Sequence, residues 1–100
     1  MKNNKNFNGL ILLNNGRFVP IGFLNSVKST VMEIIPGLSP KIPYTLKQLY
    51  GEKNWNELNS GEQKRAGWCM KHLVETRELP FRIVKARHEY PVHYQLKETF

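Results

Sequence analysis

Two short apolar runs, residues 10–13 and 18–24, flank Asn14-Asn15-Gly16 near the start of the chain. Asn and Gly tolerate the positive φ of a tight turn, so residues 9–24 read as a β-hairpin. Pro20 has no backbone donor, which makes the second strand an edge strand or breaks it there. The period then changes. Val27, Val31, Ile34 and Ile35 fall at the i, i+4, i+7, i+8 spacing of one helix face. Asn25 or Ser26 can cap that helix, and Pro36-Gly37 stops it. Residues 38–43 contain two prolines and read as a stiff, extended linker.

Thr45 opens a second, short helix with Leu46, Leu49 and Tyr50 on one face, and Gly51 ends it. Trp55 and Leu58 follow in a loop or a further turn. The longest helical signal starts at Ser60, with Gln63 three residues later as a capping-box partner, and continues to about Arg77. Spacing at 100° puts Ala66, Cys69, Met70, Leu73 and Val74 on a core-facing side. Lys64, Trp68, Lys71, His72 and Glu75 lie opposite and are expected to face outward. Leu79-Pro80 breaks the helix. Residues 81–86 and 90–97 then read as a hairpin, because Val92, Tyr94 and Leu96 alternate with His93, Gln95 and Lys97.

Length and composition narrow the reading. One hundred residues, 40% hydrophobic, suit one small core and exclude two enzyme domains around a cleft. Residues 1–8 hold four Asn and two Lys and read as a flexible tail, leaving residues 9–100 as a single domain. No apolar run approaches the roughly 20 residues of a spanning helix. The run at residues 10–13 is too short for a signal-peptide core, and Cys69 is the sole cysteine. Both features point to a cytoplasmic protein.

The order from residue 25 onward, two helices, a longer helix and a basic hairpin, is that of a winged helix-turn-helix. The residues extend the likeness. Thr45-Leu46-Lys47-Gln48-Leu49-Tyr50-Gly51, Trp55, Leu58, Gly61-Glu62, Ala66-Gly67 and Leu79-Pro80 follow a TLxxLxG…W…L…GE…G pattern. Over its last 60 or so residues the chain thus resembles a group of small bacterial, phage and plasmid winged-helix proteins. Element order and resemblance together imply an α+β fold: a three-helix winged helix-turn-helix core with a C-terminal β-hairpin wing, to which the N-terminal β-hairpin, outside the pattern, is added. The resemblance carries no activity with it. Function is therefore expected by analogy with winged-helix proteins at large, as a transcriptional regulator of a phage, plasmid or other mobile element.

The charge agrees with a polyanionic partner. The net charge is +7, and all eight acids are Glu. Seven cations, Lys64, Arg65, Lys71, Arg77, Arg82, Lys85 and Arg87, fall within 24 residues, opposed by Glu75 and Glu78. Long cations on a rigid surface are what phosphate contact requires. The expected nucleic-acid-binding residues are Lys64, Arg65, Trp68 and Lys71 on the helix, with Arg82, Lys85, Arg87 and His88 on the wing. Arg65 is the candidate for a bidentate guanine contact. Basic residues on solvated helix faces also serve solubility alone. Trp68 can stack on a sugar or base, meet a partner or a second copy, or cover the N-terminal hairpin.

Chemistry finds little to work with. His72, His88 and His93 are the only histidines, and there is no Asp. No CxxC, HxxxH or HExxH spacing occurs, and no GxGxxG or GxxxxGK[ST] loop. The chain reads as a non-enzyme without cofactor or metal. The expected partner is duplex DNA, bound by a monomer or a homodimer. The rival is a protein-binding adaptor or host-factor inhibitor working through the Trp68 face, with His72, or through the N-terminal hairpin edge. RNA stacking on Phe81, Tyr90 and Tyr94 is a third reading.

Overall fold

The computed structural model describes residues 6–7, 9–84 and 91–98. It is an α+β domain with two three-stranded antiparallel sheets and four α-helices among the described residues. Strands β1 (Asn6–Phe7), β2 (Leu10–Leu12) and β3 (Phe18–Pro20) form the N-terminal sheet. The turn falls where Asn14-Asn15-Gly16 predicts it. Gly16 sits at φ +85°, a region an L side chain adopts with strain. Leu13 N–H donates to Arg17 O at 2.8 Å, and Asn15 Oδ1 accepts from Arg17 N–H at 3.0 Å. Asn6 and Phe7, assigned by sequence to the tail, pair with β2. The rest of that segment, residues 1–5 and 8, lies outside the described residues.

The second strand ends earlier than expected, and the first helix begins earlier. Helix α1 runs Ile21–Ile34, so residues 21–24 are helical rather than extended. Pro20 is its N-cap, with φ −60° and ψ 136°, and no side chain caps the end. Asn25 and Ser26 are therefore exposed interior positions, not caps. Proline explains the switch. It closes the strand because it cannot donate, and its fixed φ suits the entry to a helix. The apolar run that follows buries Leu24, Val27 and Val31 along one stripe, with Ile34 and Ile35 half-buried. A 3₁₀ turn at Ile35–Gly37 ends the element at the expected Pro-Gly.

The linker contains a strand that the sequence conceals. β4 (Pro43–Thr45) pairs antiparallel with β6 (His93–Leu96), which in turn pairs with β5 (Phe81–Val84), giving the order β4-β6-β5. β4 is an edge strand, where a proline at the first position is tolerated. Tyr94, Leu96, Phe81 and Ile83 turn inward with Tyr44, while Arg82, Gln95 and Lys97 alternate to the other face.

Helices α2 (Leu46–Tyr50) and α3 (Glu52–Asn56) meet at Gly51, whose φ of +90° breaks them apart. Thr45 caps α2 in a capping box with Gln48. Trp55 sets its ring edge-on to Tyr50 at 5.8 Å. Helix α4 spans Ser60–Glu75. Its cap is one residue earlier than predicted: Asn59 accepts from Glu62 N–H at 2.8 Å, and Glu62 accepts from Asn59 N–H at 2.9 Å. Gln63 instead donates to the carbonyls of Trp55 and Leu58, tying α4 to the end of α3.

The α4 terminus is a Schellman motif and stops two residues short of Arg77. Glu78 N–H reaches Leu73 O at 2.9 Å, and Arg77 N–H reaches Val74 O at 3.1 Å. Arg77 supplies the left-handed residue, at φ +65°. Between these ends, Ala66, Cys69, Met70, Leu73 and Val74 are buried, as their spacing predicts. They pack with Leu13 and Val19 from the N-terminal hairpin, Leu24, Val27 and Val31 from α1, Leu46 and Leu49 from α2, and Phe81 from β5. No helix among the described residues is long and apolar enough to cross a membrane.

Candidate nucleic-acid interface

The face of α4 opposite the core is not uniformly open. Lys64, Arg65 and Lys71 are exposed, Trp68 is half-buried, and His72 is buried at 9% exposure. The expected outward position of His72 is therefore corrected. The cause is tertiary: the turn of the N-terminal hairpin lies over that part of the helix. Asn14 N–H donates to His72 Nδ1 at 2.9 Å, and Asn14 Nδ2 donates to Glu75 Oε1 at 3.2 Å. The Arg17 guanidinium lies 4.8 Å from the centre of the Trp68 ring. Trp68 thus covers the hairpin, one of the roles its position allowed.

The turn and the helix enclose a cleft of about 300 Å³, with Asn14 and Asn15 on one wall and Gly67, Trp68 and Lys71 on the other. Gly67 leaves that wall low, since nothing lies within 4 Å of where its Cβ would be. On the helix surface Lys64 and Lys71 run along one side of Trp68 and Arg65 along the other, set by the three- and four-residue neighbour rule. The Arg65 guanidinium folds back toward the first turn, 3.8 Å from the Cβ position of Gly61. None of Lys64, Arg65 and Lys71 forms an ion pair among the described residues. The ion pair found there is Lys28 with Glu78, at 3.3 Å on the far end of the helix.

Arg82 belongs to a different place. It lies on the outer face of β5 and donates to Gln95 Oε1 at 3.2 Å, while Gln95 Nε2 donates to Pro40 O at 2.8 Å. Arg82, Lys41, Lys97 and Glu98 border a groove of about 380 Å³ that contains no α4 residue. Lys85, Arg87 and His88, and with them the expected tip of the wing, lie outside the described residues.

Two residues were not found by pattern. Arg17 sits in a turn, and only its tertiary position over Trp68 marks it. Asn14 was read as a turn residue, yet it carries both hydrogen bonds that hold the turn to α4. Cys69 is inert in this setting: burial pushes its thiol up to about 12. Burial also raises Tyr50 above its ordinary value, against an opposing hydrogen bond with Thr30. Comparison of the chain with protein-family models, curated proteins and solved structures finds no match.

Proposed function

We propose that this protein is a winged-helix module that binds duplex DNA, with α4 as the element that enters the groove and the β5–β6 hairpin as the wing. The observation that carries the reading is the exposed trio Lys64, Arg65 and Lys71. They sit on a helix whose opposite face is core, and none pairs with a carboxylate among the described residues. A rigid rod with unpaired cations on its free side suits a groove lined by phosphates. The order of elements supports the same reading, because the β5–β6 hairpin follows α4 and is tied to the helical core through β4, the strand that enters α2. Sixteen helical residues are about 24 Å long and read a short site, which favours two copies on two half-sites. A regulator carried by a mobile element is the role that the likeness of residues 45–80 to small phage and plasmid proteins adds to this reading.

The rival adaptor, centred on Trp68 and His72, has less free surface to work with. His72 is buried and Arg17 occupies one face of the indole. The deciding measurement is a fluorescence titration against random duplex DNA over a range of salt. Binding should weaken steeply as salt rises, and the combined change of Lys64, Lys71 and Arg87 to Glu should abolish it. Unchanged binding by that triple variant rejects the assignment. A parent chain without duplex affinity at physiological salt points to the adaptor.

A further inference from the structure

We infer that the N-terminal turn, residues 14–17, is a second contact element of the duplex-binding surface, and that Arg17 is held over Trp68 to meet a phosphodiester of the DNA backbone. The inference rests on the duplex-binding reading above and adds a residue and an element to it.

Beside the Arg17–Trp68 contact, the turn is docked by hydrogen bonds that do not involve the Arg17 side chain. Asn14 does the docking, through its backbone to His72 and its side chain to Glu75. Glu75, the carboxylate that the turn engages, accepts from Asn14, and Arg17 forms no ion pair among the described residues. Its guanidinium lies over the indole at 4.8 Å, and the exposed side chain makes no hydrogen bond or ion pair among the described residues, so its N–H donors are open to an anion. The backbone beneath it is pinned on both sides, by Leu13 N–H on its carbonyl and by Asn15 Oδ1 on its amide. A cation fixed in this way loses little further freedom on binding.

The position matters as much as the rigidity. Trp68 is flanked on the helix by Lys64, Arg65 and Lys71, so Arg17 becomes a fourth cation around one indole, drawn from the far end of the sequence. Gathering like charges is unfavourable in the free protein. A polyanion laid across the cluster removes that cost and contacts both elements together.

The test uses the full chain and a fluorescently labelled random duplex of 20 base pairs, titrated between 50 and 200 mM salt. Each phosphate contact contributes about 0.9 to the slope of log K against log salt. Arg17→Ala should therefore lower the magnitude of that slope by about 0.9, with a cooperative thermal melt retained. Arg17→Lys should restore it, and Lys53→Ala on α3 should leave it as in the parent. Two results overturn the inference while leaving the duplex reading intact. One is an Arg17→Ala slope equal to that of the parent. The other is an equal loss of affinity in both Arg17 variants at unchanged slope, which marks a packing role alone. A parent that binds no duplex overturns both.

Discussion

At the scale of single residues, environment overrides type. Histidine 72 has the sequence position of a surface residue and the surroundings of a core one, because its Nδ1 is needed as an acceptor for the Asn14 amide. The spacing rule that placed it outside treats the helix as a free rod and carries no knowledge of what crosses it. Cys69 shows the converse, since its place on the apolar stripe was legible and its chemistry follows from that place. Its thiol ionises near 9 in the unfolded chain and at about 12 in the fold. Between these values the unfolded chain has lost a proton that the folded chain keeps, so stability falls as pH rises from 9 toward 12. Tyr50, shifted the same way, adds to the loss above its ordinary value. Thermal melts from pH 7 to 11 should show this decline, and Cys69→Ala should flatten its first part. Native protein should also resist alkylation at pH 8 while unfolded protein reacts at once.

At the scale of elements, the interiors of α1, α2 and α4 were readable, as were both ends of α2 and the stop of α1 at Pro36-Gly37, whereas the starts of α1 and α4, the end of α4 and the whole of α3 were not. The stripe from Ala66 to Val74 is a long periodic signal, and the structure buries every member of it. Caps depend on one or two hydrogen bonds each, and adjacent polar residues compete for the role. Asn59 and Ser60 both suit an N-cap, and Glu62 and Gln63 both suit its partner. The choice fell to Asn59 and Glu62 because Gln63 is engaged by the carbonyls of Trp55 and Leu58. Substituting the two candidates separates the alternatives. Asn59→Ala should cost about 1 kcal/mol in denaturant unfolding, and Ser60→Ala only a few tenths. Equal losses would show the cap to be shared. β4 was hidden for a different reason. Three residues starting with proline have no periodicity to detect, and only pairing with β6 makes them a strand.

At the scale of the whole molecule, the N-terminal hairpin changes from an addition to a component. Leu13 and Val19 lie in the same core as Met70 and Phe81, and the turn between them reaches across to α4. No local pattern announces a contact between residues 58 positions apart. Removing its acceptor tests how the turn is held. His72→Ala leaves the Asn14 amide without its partner, a loss of about 1–3 kcal/mol. Hydrogen exchange at Asn14 should then accelerate strongly, while the amides of Met70 and Leu73 in the middle of α4 stay protected. Unaltered exchange at Asn14 would show that the turn is anchored elsewhere. The same contact explains why the candidate interface was only partly legible. Lys64, Arg65 and Lys71 belong to one helix and could be gathered by spacing. Arg17 joins them through the tertiary fold alone, and Arg82, close to them in sequence, faces another groove.

The Schellman turn after α4 bears on how firmly the chain's reversal is held. Its left-handed residue is an arginine, where glycine would fit with less strain. The helix therefore ends on a conformation that its own backbone resists, and the fully buried Leu79 anchors the chain just beyond it. The bend directs the chain into β5, which carries β6 back to lie beside Pro43.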